Sequence, residues 1–224
     1  MPRKYKIERE APKNYRIPEN IPTLPKFRTI VADPPWEKNQ TGKYGAGNYY
    51  DLMTLDRIKA MPVSELADEN AHLWLWVLNG NVDEGLEVIK AWGFTYRGMF
   101  HWLKPRMGLG QYLRNASESC LFATRGKAPV KTRNQMNWAW LPNGTHSEKP
   151  RELISTFERV SYGPYLELFC RKRPASTERW WCYGKETEGG SDIFIPGFPV
   201  DEYSFEHTDE NTEPDTDSDE KEEV

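Results

Sequence analysis

Three cysteines in 224 residues, Cys120, Cys170 and Cys182, are too few and too widely spaced for a disulfide framework or a CxxC metal clip. They read as reduced core residues, and no metal is expected. Long apolar runs are missing too. The longest, His72 to Leu78, falls far short of the roughly eighteen residues that cross a bilayer. The opening MPRKYKIERE has no leader-like apolar region. These absences predict a chain without a membrane partner, resident in the cytoplasm of a prokaryotic or phage-infected cell, or in the nucleus of a eukaryotic one.

What the sequence does hold is aromatic bulk: nine Trp, eleven Tyr and nine Phe can close one core despite the charged composition. The length suits a single domain with trimmings. The formal net charge of −4 conceals two opposed parts. Residues 201–224 carry twelve Asp/Glu and one Lys, so residues 1–200 carry 29 Lys/Arg against 22 Asp/Glu. The body is basic, which favours a polyanionic partner such as nucleic acid without establishing one. Three regions are expected. Residues 1–28 form an N-terminal arm, 29–200 the folded domain, and 201–224 an acidic tail too polar to offset its chain entropy.

Thr29 to Ala32 is a β-branched run stopped by Asp33-Pro34-Pro35, as a buried strand would be where backbone donors vanish. His72–Leu78, Phe94–Lys104, Ser119–Thr124, Tyr165–Cys170 and Trp180–Tyr183 read as further strands. Helical periodicity is weak over Leu55–Ala67 and stronger over Val82–Trp92 and Pro150–Val160. Residues 125–145 read as irregular. Strands alternating with helices predict an α/β fold, a mostly parallel sheet with helices on both faces and ligands bound at the strands' carboxyl ends.

Asp33-Pro34-Pro35-Trp36 stands at such an end. An exocyclic amino group on a base is a poor nucleophile because its lone pair is delocalised into the ring. A carboxylate and a nearby carbonyl can accept both of its N–H bonds and hold the nitrogen in an attacking geometry. Asp33 offers the carboxylate, Pro34 a carbonyl without a competing donor, Pro35 a stiff turn, and Trp36 a face for stacking. The alternative is a plain strand end and turn, with Trp36 in the core.

This motif and much of the chain beyond it resemble the N6-adenine methyltransferases related to the catalytic subunit of the messenger-RNA adenosine methyltransferase, a family with bacterial and phage members. The likeness runs from about Thr29 to Glu186. It includes Leu73–Val77, His101-Trp102-Leu103-Lys104, Gly108-Leu109-Gly110 with Tyr112, Arg114 and Glu118, His146 to Pro150, Glu167-Leu168-Phe169 with Arg171, and Gly184-Lys185-Glu186. The resemblance implies a Rossmann-like sheet with a permuted motif order, using S-adenosyl-L-methionine. It further implies that Lys149 holds the cofactor's carboxylate, that Arg171 with Gly184, Lys185 and Glu186 holds its ribose, and that Asp33 borders it. Lys149 could equally be a solvated lysine at a helix start, and Arg171 a surface arginine. Two departures stand out: Lys185 replaces the family's asparagine, and Ser117 precedes Glu118 where an aromatic or histidine is common.

For the substrate, Trp36 and the tyrosines Tyr49 or Tyr50, beside the glycine-rich stretch Gly42 to Gly47, are expected to frame the base. Lys104, Arg114, Asn115 and Glu118 are expected to contact it or its backbone. The resulting expectation is adenine N6 methylation, of DNA in preference to RNA, by a chain that acts as a homodimer or heterodimer. An RNA adenosine methyltransferase and a catalytically silent nucleic-acid-binding subunit are the alternatives.

Overall fold

The alternation of apolar runs and amphipathic stretches resolves, in the computed structural model, into nine strands and four helices over the described residues 6–37, 51–108, 112–143 and 149–205. In chain order these are β1 (Ile7–Glu8), β2 (Phe27–Ala32), β3 (Leu52–Met53), α1 (Leu55–Lys59), α2 (Val63–Leu66), β4 (Ala67–Val77) and α3 (Val82–Ala91). They continue with β5 (Thr95–Leu103), β6 (Ser117–Arg125), β7 (Trp138–Trp140), α4 (Leu153–Val160), β8 (Tyr165–Leu168) and β9 (Trp180–Tyr183).

Seven strands form one sheet in the order β7-β5-β6-β4-β2-β8-β9. β2 pairs in parallel with β4 and β8, β8 with β9, and β5 with β7. Only β6 is reversed, antiparallel to both β4 and β5. Alternation in the central strands divides the core between two faces. Ile30, Ala32, Leu73 and Leu75 pack with Ile58, Val88, Ile89 and Trp92 on the side of α1 and α3. Val31, Trp74 and Trp76 pack with Leu153, Ile154 and Phe157 of α4 on the other. The result is a Rossmann-like α/β sheet with helices on both faces. Gly85 lets α3 press close, since a Cβ there would stand 2.6 Å from a Val77 methyl and 2.8 Å from a Leu121 methyl.

Several boundaries differ from the sequence expectation. β2 starts at Phe27, so the last residues assigned to the arm belong to the sheet. Residues 55–67 split into α1 and α2, with Pro62 as the N-cap of the second helix. α4 begins at Leu153, three residues beyond Pro150. β8 stops at Leu168 because Phe169 adopts a left-handed φ of 64°. β7 lies inside the stretch expected to be irregular. At the carboxyl end, Tyr203 bridges to Ser191 and packs on the core, so the folded part reaches past residue 200. Residues 206–224, which hold most of the acidic tail, lie outside the described residues.

Candidate functional site

The common direction of six strands gathers their carboxyl ends on one edge of the sheet. Asp33 follows β2, Lys104 follows β5, Phe169 to Arg171 follow β8, and Gly184 follows β9. Because β6 is reversed, its first residues, Ser117 and Glu118, reach the same edge. Residues far apart in the sequence therefore meet around Asp33.

The turn at Asp33 is fixed by backbone bonds. Asp33 N–H still donates to Leu168 O across the sheet at 3.4 Å, after which the prolines offer no donors. Trp36 N–H donates to Pro34 O (2.9 Å), Met53 N–H to Pro35 O (2.8 Å), and Glu37 N–H to Met53 O (3.1 Å). β3 thus clamps the tetrapeptide from outside. Pro34 O keeps one lone pair for a further donor. Trp36, by contrast, offers no face for stacking. Its side chain is buried at 4% exposure, packs with Met53 in the core, and donates Nε1–H to Trp76 O at 3.1 Å. Its place is that of an anchor beneath the turn, so the stacking expectation is corrected.

An alternating line of charges crosses the edge. Lys149 Nζ lies 2.5 Å from Asp33 Oδ2 and 3.2 Å from Glu118 Oε2. Glu118 Oε1 accepts from Lys104 Nζ, whose ammonium sits 4.3 Å from the Trp102 ring centre. Lys149 also stands 5.3 Å from the Trp76 ring centre. Burial pushes the Glu118 carboxyl up, but Lys149 and Lys104 outweigh it, and the net direction is downward. In this geometry Lys149 bridges two protein carboxylates, which differs from the expected role of pairing with a cofactor carboxylate.

Two cavities flank Asp33. One, of about 230 Å³, is lined by Asp33, Trp76, Lys149, Arg151, Glu167 and Arg171. The other, of about 270 Å³, is lined by Glu8, Asp33, Asp51, Arg171, Gly184 and Lys185. Asp33, Phe169 and Arg171 border both, and Glu186 lines the second. Each alone is below the usual range of about 300–1,000 Å³ for ligand pockets, and the two together fall within it. Gly184 is required by close approach: a Cβ there would come 2.3 Å from Cys170 O. Lys185, the departure from the family pattern, pairs with Glu8 and lies 3.9 Å from Asp51.

Of the expected substrate residues, Lys104 and Glu118 join the site. Asn115 Oδ1 accepts from Asn79 Nδ2 at 3.3 Å, and Arg114 is exposed on the loop from β5 to β6. Tyr49, Tyr50 and the glycine-rich stretch before them lie outside the described residues. Three contributors escaped the sequence reading. Glu8 comes from the arm and reaches the second cavity through β1. Asn79, just past β4, hydrogen-bonds Asn115, Ser117 and Ser119. Arg151 grips both oxygens of Glu167 at 3.0 and 3.1 Å. None carries a local signal, because each contact joins residues distant in sequence.

All three cysteines are free and buried, as expected. Pairing of β8 with β9 nevertheless brings the Cys170 and Cys182 sulfurs and a Glu167 oxygen within 4.8 Å of one another. Glu167 is committed to Arg151. A hydrogen bond to Cys182 and then burial push the Cys170 thiol up. Among the described residues no helix is long and apolar enough to cross a membrane.

Fold and site together define a Rossmann-like α/β protein with two adjoining cavities at the carboxyl ends of its strands, beside β2. The MT-A70 family profile matches residues 27–186, and the chain belongs to that family. It is similar to a putative N(6)-adenosine-methyltransferase MT-A70-like protein of Medicago truncatula, 28% identical over 175 residues that cover 74% of this chain and 27% of the relative. It is also similar to the human N(6)-adenosine-methyltransferase catalytic subunit METTL3, 26% identical over 181 residues covering 76% and 30%. A third relative is the N6-methyladenosine RNA methyltransferase MTA1 of Pyricularia oryzae, 28% identical over 189 residues covering 74% and 48%. The chain spans between about a quarter and a half of the length of these relatives.

Proposed function

We propose that this protein is an S-adenosyl-L-methionine-dependent methyltransferase acting on the N6 amino group of adenine in nucleic acid. The observation that carries the reading is the Asp33 carboxylate, held by a double-proline turn at the end of the central strand, between two cavities. Among the described residues only Oδ2 is engaged, by Lys149, which leaves Oδ1 and the second lone pair of Pro34 O for the two amine hydrogens. Both acceptors are pre-positioned, so little reorganisation is needed when the amine arrives.

The donor set suits the cofactor. Arg171 offers a cation for a carboxylate, Glu8 and Asp51 offer acceptors for a ribose diol, and Asp33 with Trp76 and Phe169 surrounds a cationic centre with a carboxylate and aromatic rings. S-adenosyl-L-methionine would supply an electrophilic methyl group there. Transfer would join that methyl to the adenine nitrogen as its bond to sulfur breaks, with the electron pair left on sulfur and the nitrogen's surplus proton passing to Asp33 Oδ1 or to water. Asp33 and Pro34 orient that nitrogen. Lys149 holds the Asp33 carboxylate in place, and Glu118 holds Lys149.

RNA is the substrate supported by the relatives, whose names specify adenosine and, for MTA1, RNA. The expectation of DNA has no comparable support. The human relative is named as a catalytic subunit, which supports action within a heteromeric assembly over the silent-subunit alternative. The test is transfer of labelled methyl from S-adenosyl-L-methionine to sequence-matched RNA and DNA oligonucleotides, with adenine N6 identified after digestion. Label on RNA with little on DNA supports the reading. Label on DNA alone reverses the substrate, and label on neither defeats the activity of the isolated chain.

A further inference from the structure

The basic excess of the body is not spread evenly. Residues 97–143, which span most of β5, all of β6 and β7, and their loops, contain eight Lys/Arg and a single acidic residue, Glu118. Their surplus equals that of the whole of residues 1–200, and the remainder of the body is balanced. Arg106, Arg114 and Arg133 are exposed and form no ion pair among the described residues.

The same stretch carries exposed aromatic surface. β7 lies at the edge of the sheet, paired only with β5 among the described residues. Ala139 turns inward and packs with the core beneath α4. Trp138 and Trp140, on either side of it, therefore share the opposite face and are 42% and 62% exposed. Two residues of parallel strand separate them by about 6.6 Å. That is close to twice the ~3.4 Å rise between stacked bases, a spacing that fits successive bases of an extended strand and not a closed duplex. The platform ends at the sheet edge that carries the site, Trp140 being in register with Leu103, one residue before Lys104, although the two indoles lie on the face opposite Glu118.

Building on the methyltransferase reading, we propose that Trp138 and Trp140 form a stacking platform for unpaired bases flanking the target adenine, with Arg106, Arg114 and Arg133 meeting their phosphates. Indole faces stack on any base and charges of one sign attract a polyanion, so this combination selects single-stranded nucleic acid. A duplex keeps its bases paired and its faces covered.

The test measures binding of the full chain to a fluorescently labelled single-stranded oligonucleotide containing one adenine, and to the duplex of the same sequence. Trp138→Ala and Trp140→Ala are each expected to weaken single-strand binding by about 5- to 100-fold. Trp140→Phe should recover most of the loss, and duplex binding should change little. Unchanged single-strand affinity in the Ala variants overturns the platform, as does an equal loss for strand and duplex. If light scattering shows that the Ala variants lose self-association while keeping oligonucleotide affinity, the face is a protein interface and the proposal fails. Methyl transfer, assayed alongside, separates the two readings. Active protein with Trp-independent binding sinks the platform alone, whereas Trp-dependent binding without transfer sinks the reaction and leaves the platform standing.

Discussion

Replacing Asp33 by Asn keeps the size of the side chain and removes its charge. Lys149 Nζ, 2.5 Å from Asp33 Oδ2, would retain Glu118 at 3.2 Å as a partner and could still donate to the amide oxygen. No buried cation is stranded, so the loss of about 3–5 kcal/mol typical of a broken buried pair does not apply. Asp33 is 34% exposed at the side chain, which places the cost nearer that of a surface pair, at most about 1 kcal/mol. In a chain of this size that corresponds to a melting shift of about 2–4 °C. Methyl transfer should suffer much more. The amine loses a charged acceptor aimed at it in the transition state, an effect on the order of a hundredfold or more, equivalent to about 2.7 kcal/mol. Single-turnover transfer of labelled methyl and thermal melting on the same preparation measure both quantities. Turnover within about threefold of wild type would refute the orienting role. A fall of more than about 10 °C would show that the carboxylate serves the fold instead.

Three further outcomes are expected from the geometry. Trp36→Ala should destabilise by about 3–5 kcal/mol and Trp36→Phe, which keeps a ring but gives up the bond to Trp76 O, by less, with an unchanged KM for the nucleic acid in the folded Phe variant; a raised KM there would restore the stacking role. The native Glu118 carboxyl is held below its ordinary value, so its stabilisation is complete above the usual carboxylate range and lost as pH falls through the lowered native value. Urea midpoints should therefore rise with pH across the acidic range in wild type and rise less in Glu118→Gln, and parallel curves would contradict this. Gly184→Ala should force the ends of β8 and β9 apart at a cost of about 1–3 kcal/mol, and an unchanged melting temperature would show that the strand ends yield freely.

The parts of this molecule legible in the sequence are those set by neighbours along the chain. Pro34 and Pro35 mark the end of β2, and apolar periodicity marks α3, because strand termination and helix amphipathicity are local properties. Asp33 could be picked out for the same reason. β7 was invisible: three residues of edge strand, two of which face outward, look like loop. Trp36 could not be assigned to core or cleft from its type, since either position suits an indole, and only the Trp76 carbonyl decides it. The Lys149 bridge depends on β6 running backwards, and strand direction leaves no trace in composition. Glu8 reaches Lys185 across 177 positions, a contact made by the fold alone.

The reversal of β6 has a consequence for how the site can change. β5 and β6 form a hairpin whose last rungs are the Leu103–Ser117 register pair and the Lys104 N–H to Ala116 O bond of 2.8 Å. The segment that leaves β5 beside the site returns to the same place, so its two ends are fixed by each other and not by distant parts of the chain. Doubling the length of such a loop costs only about 0.6 kcal/mol in closure entropy. Asp33 has no such latitude, being wedged between β4 and β8 in the middle of the sheet. The molecule thus separates what must stay from what can vary: Asp33 is locked into the centre, and the segment between β5 and β6 can be exchanged as a cassette without disturbing a rung of the sheet.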